Sequence, residues 1–482
     1  MKFKKSIIWA ISSAFLLVSA ISAEEIKGDI DAGKTASNRR LAKFAADSGP
    51  NLTFFNVNSW KIQMGHEGFF DWGATSHGSA GNYPKGMGSV IFAEGILWGA
   101  KVTDEYGVDS DGTLLTDGTG GGTPRIRVNG SMYNTGLKAG KVLRDANGRI
   151  LTSGYSEDYR AQQIWRVRRD WNTADLRGDI AIVKNAEAAT LTDAQIEAGK
   201  LQYEHDWKEW PADEGAPFDD VNGDGVYTPG TWDATNKVWN GDVPGIPGAD
   251  QTVWTVANDL PDEYTDTGIP VSVSEGGWGS PPIGFEIQIT LWGYDFPFSN
   301  PLASMMFKRA RINYVGLPGG PEDATLDTLY FTQWSDPDLG TYTDDFVGCD
   351  TTLSLGYVYN GNKFDDQFYS SWGSAVPAAG YDFLEGPKVD ANGDGVLDTL
   401  GMTSFVYFAA GSSVSDPSTK VYAGTLQWFN LMEGFLPRPE YPTQEPFVDP
   451  LTGEAEIFVM AGDPIKGTGW IDGMILPPGD RR

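Results

Sequence analysis

Short apolar runs with a two-residue period set the strongest limit on what this chain can fold into. Phe285, Ile287, Ile289 and Leu291 occupy every second position of one such run. Successive side chains of a strand point to opposite faces, so this spacing places one face on a core and the other toward water. The run therefore predicts a β-strand.

Other apolar runs share this character and lie between segments rich in Gly, Asn and Asp. β-branched and aromatic residues dominate them, as strands prefer. They cover residues 88–102, 305–315, 325–334, 403–411 and 455–462. Together the runs predict a mainly β fold, an antiparallel β-sandwich with long Gly/Asp-rich loops, built chiefly from about residue 270 onward.

One segment, residues 191–210, has a helical pattern instead. Thr192 is followed three positions later by Gln195, which is the spacing of a capping box, and Pro211 ends the pattern. We expect one short helical insertion here. It lies between a β-rich N-terminal portion and the predicted sandwich.

The same patterns divide the chain into four regions. Residues 1–23 have the features of a leader, and residues 24–160 form an N-terminal β-rich region. Residues 161–265 form a mixed region with the helix and an acidic loop. Residues 266–482 hold the predicted C-terminal sandwich and a second acidic loop.

The charge balance and the cysteine count exclude several classes of protein. The chain has 36 Lys+Arg against 65 Asp+Glu, a formal net charge of -29, so nucleic acid is not an expected partner. The single cysteine, Cys349, excludes an intrachain disulfide framework and a Cys-rich zinc site. Three histidines leave little room for a multi-histidine metal centre.

The N-terminus has the pattern of a secretory signal peptide. Lys2, Lys4 and Lys5 precede an apolar run over residues 7–18, and small residues up to Ala23 suit cleavage there. The run is too short to span a bilayer as a helix, and no later segment is longer, so no transmembrane segment is expected after cleavage. We expect an extracellular or outer-surface protein, with the periplasm as the alternative. Core packing or bound ions would then replace disulfides.

Two near-identical acidic loops carry the clearest chemical signal. Each alternates oxygen-bearing side chains, then has a glycine for a sharp turn, then a residue whose backbone carbonyl can be a ligand, which is the chemistry Ca²⁺ needs. The first set is Asp220, Asn222, Asp224 and Val226, and the second is Asp390, Asn392, Asp394, Val396 and Asp398. The pattern predicts structural Ca²⁺ at both loops.

Both loops depart from an EF-hand at position 12, where Thr231 and Gly401 replace the bidentate glutamate. They are similar to the Asp/Asn-Gly-Asp-Gly loops of dockerins and thrombospondin-type repeats, where neighbouring loops complete the shell. In that case Asp219 or Asp233 would complete the first site. The alternative is an Asx-rich turn without metal.

A third acidic cluster lies in residues 335–350. Carboxylates this dense need a cation or open water, so a metal site and a solvated loop are both open interpretations. The candidate ligands here are Asp336, Asp338, Asp344 and Asp345.

Signals for catalysis are thin. His66, His77 and His205 show no metal-ligand spacing, and Ser76 beside His77 does not make a triad. With 65 acids, no carboxylate pair can be singled out for glycoside hydrolysis. Aromatics in residues 357–372 would suit sugar stacking, and core packing is the alternative. We therefore predict no catalytic residue, with an exported polysaccharide-binding module or glycoside hydrolase as the alternative function.

Five blocks together resemble one group of large exported proteins of Bacteroidetes-, Ignavibacteria- and Calditrichaeota-like bacteria. Many members end in a type IX secretion C-terminal sorting domain, often after immunoglobulin-like modules. The resemblance covers nearly all of the chain after the leader, and it implies location and architecture rather than a reaction. The blocks are NYPKGMGSVIFAEGILWGAKV, EHDWKEWPADEGAPFDDVNGDGVYTPG, PGADQTVWTVANDL, WSDPDLGTYTDDFVGCDTTLSLGYVYNG and GDPIKGTGWID.

In similar proteins the GDRR-like stretch leads into further β-structure, so the resemblance implies that this chain is a truncated part of a longer protein. The expected function is a secreted or cell-surface β-protein, stabilised by calcium, with a structural or adhesive role and no enzymatic activity. A glycan or a cell-surface component is the expected partner.

Overall fold

The structure is a computed structural model that describes residues 8–9, 14–19, 52–68, 81–103, 107–108, 114–115, 125–132, 136–148, 150, 163–260, 279–280, 282–317, 324–362, 364, 366–389, 394–409, 414–439 and 444–473. Strands make up 37% of it and helices 16%, in several antiparallel sheets. The predicted mainly β fold is confirmed.

The strands are short and spread over the whole chain. In chain order they are β1 Ile8–Trp9, β2 Ala14–Ser19, β3 Leu52–Phe55, β4 Ile62–Gly65, β5 Gly81–Asn82, β6 Ser89–Ile91, β7 Ala93–Thr103, β8 Gly107–Val108, β9 Leu114–Leu115, β10 Arg125–Gly130, β11 Lys138–Ala139, β12 Trp165–Arg168, β13 Phe218–Asp219, β14 Thr231–Asp233, β15 Val238–Asn240, β16 Val243–Pro244, β17 Gln251–Asn258, β18 Phe285–Gly293, β19 Phe307–Tyr314, β20 Thr325–Asp336, β21 Asp345–Asp350, β22 Leu355–Asn360, β23 Ala379–Asp382, β24 Lys388–Val389, β25 Asp398–Thr399, β26 Ser404–Ala409, β27 Phe447–Val448 and β28 Ala455–Glu456. Most of the predicted runs are strands, but the last run forms only β28.

The predicted helix is present. It is α2, and its capping box is complete, because Gln195 N donates to Thr192 Oγ1 at 3.3 Å and Thr192 N donates to Gln195 Oε1 at 2.9 Å. The described part of the chain contains three other helices, which were not predicted. The helices are α1 Arg177–Val183, α2 Asp193–Lys208, α3 Asp366–Trp372 and α4 Tyr422–Met432.

Two large sheets pack face to face. Sheet A has the order β1-β19-β18-β17-β11, with β12 also paired to β17, and is antiparallel throughout. Sheet B has the order β10-β7-β20-β2-β26, in which β2 is parallel to both neighbours. Their facing sides share one apolar cluster, in which the Trp98 ring of sheet B meets the edge of the Phe285 ring of sheet A at 5.8 Å.

The outer face of sheet A does not face water, contrary to the simple alternating pattern of β18. Residues of the mixed region cover it, and Trp165, Trp210 and Trp254 pack together there. Polar side chains on this face of β18 are therefore buried and bonded to the covering layer. Glu286 accepts from Val142 N at 2.8 Å, and Gln288 donates to the Glu214 carbonyl at 3.0 Å. Burial raises the pKa of the Glu286 carboxyl.

The outer face of sheet B is covered by α4 and by a third sheet, β21-β22-β23. Trp428 and Phe429 of α4 share an apolar cluster with Trp334 of β20 and Phe405 of β26, and all four are fully buried. The molecule is thus layered: a helical and loop layer, sheet A, sheet B, and a layer of α4 with the small sheet.

The sheets join regions that the sequence pattern treats separately. Sheet B pairs β7, from the predicted N-terminal region, with β20, from the predicted C-terminal region, over registers from Thr103↔Thr325 to Ala93↔Asp336. The predicted leader contributes β1 to sheet A and β2 to the middle of sheet B.

Candidate functional site

The first acidic loop is held in shape by its own side chains. Asp220 accepts from the N–H of Gly223 at 2.7 Å and of Gly225 at 2.8 Å, and both glycines have positive φ, +73° and +75°. Asn222 Oδ1 accepts from Asp224 N at 2.9 Å, and Asp224 Oδ1 accepts from Val226 N at 2.8 Å. These are successive Asx turns, which hold the side-chain oxygens on a tightly wound backbone.

A buried carboxylate closes the base of this loop, and the sequence analysis missed it. Asp242 is 1% exposed and accepts from Val221 N at 3.0 Å and from Thr228 N at 2.7 Å. It joins the two ends of the loop from a distant position in the chain. The pairing of β13 with β16 and a bridge between Pro229 and Asp242 bring Asp242 there, and no local pattern in the sequence marks either contact.

The two carboxylates proposed to complete this site are engaged elsewhere. Asp219 lies 3.7 Å from Arg169 Nη2. Asp233 accepts from the N–H of Thr235 and Asn236 and so caps the turn between β14 and β15. Those hydrogen bonds lower the pKa of the Asp233 carboxyl.

The loop retains capacity for a cation. Each carboxylate oxygen has two lone pairs, so the N–H groups of the loop use only part of the acceptor capacity of Asp220 and Asp224. However, no group of three or more His, Cys, Asp or Glu side chains gathers as a metal site within the described ranges. The donor chemistry fits Ca²⁺, but the shell would need backbone carbonyls and water.

The second acidic loop lies partly outside the described residues, since 390–393 are not among them. Asp390 and Asn392 therefore have no structural account. Asp394 Oδ1 accepts from Val396 N at 2.7 Å, the same Asx turn as in the first loop, and Gly395 again has positive φ, +84°. Asp398 lies on β25, opposite Val389 of β24.

The third acidic cluster is spread over a turn rather than gathered on one point. Asp336 ends β20, and Asp345 begins β21 and accepts from Leu339 N at 2.8 Å. Asp344 accepts from Asn360 Nδ2 at 3.2 Å. Burial raises the pKa of the Asp338 carboxyl to about 7, which favours its neutral form and makes it the weakest cation ligand of the four.

The single cysteine and two of the three histidines are described, and each packs against the rest of the fold. Cys349 is 2% exposed, and burial raises the pKa of its thiol to about 12, with Asp350 adding to the shift. His66 is buried, and the His205 ring stacks on Trp165 at 5.9 Å. His77 lies outside the described residues.

A buried ion pair links β12 to α1, again without a local sequence signal. Arg166 bonds both oxygens of Asp179, at 2.5 and 3.1 Å, and Tyr203 Oη donates to Asp179 at 2.9 Å. Burial alone would raise the pKa of the Asp179 carboxyl, but the charges of Arg166 and Arg168 and the hydrogen bonds from Arg166 and Tyr203 together outweigh it, so the pKa is lowered. The pair fastens the helical layer to sheet A.

Next to the first loop lies a group of tryptophans, here called the tryptophan cluster: Trp171, Trp207, Trp232 and Trp239. Trp232 and Trp239 face each other across the β14–β15 hairpin, with ring centroids 5.3 Å apart. Trp239 also stacks on Trp207 at 4.1 Å and on Trp171 at 6.2 Å. The sequence analysis looked for aromatic stacking near residues 357–372 and did not identify this cluster.

Contacts tie the cluster to the acidic loop. Trp207 Nε1 donates to the Gly230 carbonyl at 3.3 Å, and Tyr227 Oη donates to the Trp207 carbonyl. Trp239 Nε1 donates to the Arg169 carbonyl at 2.9 Å. The loop and the cluster therefore form one surface region at the end of the helical layer.

Comparisons with protein-family models, with curated proteins and with solved structures found no match for this chain. Among the described residues, no helix is long and apolar enough to cross a membrane.

Proposed function

We propose that the chain is a non-enzymatic, exported β-protein of structural or adhesive role, in which calcium stabilises the acidic loops. The observation that carries the proposal is the first loop, where Asp220, Asn222 and Asp224 are wound by successive Asx turns over a base closed by Asp242. Such winding lowers the entropy that a cation would have to remove from the loop.

Export to the cell surface is part of the proposal. It is supported by the leader pattern of residues 1–23 and by the resemblance to exported bacterial proteins with type IX sorting domains. An exported chain with one cysteine has a clear use for bound ions, because they restrain long loops as disulfides would.

Calcium should raise the thermal stability of the protein. Extracellular sites with dissociation constants of about 0.1–1 mM add roughly 1.4–2.7 kcal/mol at about 10 mM Ca²⁺. Melting curves in calcium and in chelator measure the shift, which we expect to be a few degrees.

The Asp220→Asn variant tests how much of the calcium-dependent stability comes from the first acidic loop. The single amide oxygen keeps one of the two hydrogen bonds from the glycine N–H groups, and the charge that attracts the ion is gone. We expect the part of the calcium shift that depends on this loop to disappear, whereas Glu197→Gln, an exposed change on α2, should leave it intact. An Asp220→Asn protein with the full calcium shift would overturn the assignment of this loop.

A further inference from the structure

Three of the four tryptophans in the cluster are partly exposed to solvent, although they stack on one another. Trp207 is 2% exposed and supplies the base of the stack, whereas Trp171, Trp232 and Trp239 are each partly exposed. Most of the other residues of the β14–β15 hairpin are exposed, so Trp232 and Trp239 stand on a projecting element. Large aromatic surfaces at such positions cost free energy unless something covers them.

Three polar atoms beneath the cluster have no hydrogen-bond partner among the residues that the structure describes. They are Arg169 Nε, Trp171 Nε1 and Asn172 Oδ1, within four consecutive residues, and each is out of contact with solvent. An unsatisfied buried polar group costs about 1–3 kcal/mol, and native proteins keep few of them. Two donors and one acceptor without a partner thus lie in the segment that carries Trp171, next to the indole stack.

The charge around the cluster selects among ligands. Asp233 adjoins Trp232 in the chain, Asp219 pairs with Arg169, and the segment that follows the Asp220–Asp224 loop bonds Trp207 through Gly230. The whole chain carries a net charge of -29. Anionic ligands are repelled, so the surface suits a neutral one.

We propose that the tryptophan cluster binds neutral hexopyranose units of a polysaccharide. A pyranose presents flat patches of C–H groups that cover indole faces, and hydroxyls at its edge that pair with fixed polar groups. The outer rings, Trp171 and Trp232, carry the stacking. Because Arg169 Nε and Asn172 Oδ1 are closed to solvent, the Trp171 indole must shift on binding for sugar hydroxyls to bond them.

A protein partner fits this surface less well. Stable protein interfaces bury about 800 Å² on each partner, whereas one fully buried aromatic side chain accounts for only about 150–250 Å². Three partly exposed indoles fall far short of that area. They match the size of one or two sugar rings instead.

Affinity electrophoresis of the whole protein through gels containing a β-glucan, a mannan or a galactan tests the proposal, with alginate as the anionic comparison. We expect at least one neutral polymer to retard the protein and alginate not to. Trp232→Ala should weaken that retardation at least tenfold and Trp232→Phe less, because a smaller ring still stacks. Both variants are checked for folding by their melting curves.

Trp60→Ala is the matched control, since Trp60 is also a partly exposed tryptophan but packs against Tyr83, outside the cluster. It should bind like the unchanged protein. The proposal fails if no neutral polymer retards the protein, if alginate retards it equally, or if Trp232→Ala binds like Trp60→Ala. It goes beyond the calcium-stabilised structural role, and its failure would leave the calcium shift in melting temperature unaffected.

Discussion

At the scale of single residues, buried charges fasten the layers of this protein together. The Arg166–Asp179 pair has side chains that are only 9% and 4% exposed, and it joins a strand of sheet A to a helix of the covering layer. A buried charge is stabilised by its ion-pair partner, because water cannot reach it to replace the pairing if the partner is removed.

Replacing Asp179 with Asn should therefore be strongly destabilising. It leaves the buried Arg166 guanidinium without its counter-charge, which typically costs about 3–5 kcal/mol. Asp170→Asn is the control, because Asp170 pairs with Arg168 but is 43% exposed, and such pairs contribute about 0–1 kcal/mol. Urea unfolding of the two variants measures the difference. Equal losses would show that the buried pair adds nothing beyond a surface one.

At the scale of elements, the stability of sheet B depends on β2, which is an interior strand of that sheet. It lies between β20 and β26 and pairs with both, so that Leu16 is opposite Trp334 on one side and Val406 on the other. Yet the proposed export requires cleavage after Ala23, which would remove this strand. Without it, β20 and β26 would each present unpaired backbone groups.

A chain of residues 24–482 should accordingly melt at a lower temperature than the uncleaved 1–482 chain. A synthetic peptide with the sequence of residues 12–21 should restore part of the difference, because it can add the missing strand. A scrambled peptide of the same composition is the control. Identical melting of the two chains would mean that β2 does not contribute to the stability of sheet B.

At the scale of the whole molecule, acidity and burial combine to set the pH dependence of stability. Burial raises the pKa of the Asp259 carboxyl to about 6 and that of Asp416 to about 7. Both values exceed the ordinary aspartate pKa of about 3.9. The folded state therefore binds these protons more tightly than the unfolded chain does, and stability falls as pH rises through this range.

The free energy of unfolding, measured in chelator, should consequently increase as pH falls from about 8 to about 5. It should decline again below about pH 4, because the unfolded chain then binds a proton at Asp179 that the folded state, in which the Asp179 pKa is lowered, does not yet bind. Asp416→Asn should make the protein more stable at pH 8 by on the order of 1–3 kcal/mol and flatten the slope. If the free energy of unfolding of this variant changes with pH as steeply as that of the unchanged protein, Asp416 does not cause the pH dependence.

The sequence pattern predicted the positions of several strands and of one helix correctly. It predicted poorly what packs against them. The two-residue period of β18 predicted a strand, and the Thr192–Gln195 spacing predicted the start of α2; both are confirmed. The same period predicted a wet outer face on β18, and that is wrong, because a segment distant in sequence covers it. Periodicity reports the face that a strand turns to one core, not what lies on its other side.

The features of the candidate site also fall into those that have a local sequence signal and those that do not. Glycine and Asx positions are local signals, so the Asp220–Val226 turns were visible in the sequence. Asp242, the Arg166–Asp179 pair and the cross-strand stacking of Trp232 and Trp239 depend on chain segments that meet only after folding.

The sequence by itself determined the mainly β class, the helix after Thr192 and the turns of the acidic loops, because each rests on interactions between neighbours in the chain. Tertiary structure decided the order of the strands, the burial of both faces of sheet A and the gathering of tryptophans beside the first loop. Those features depend on which distant segments pair and pack, and a single sequence carries no local signal for them.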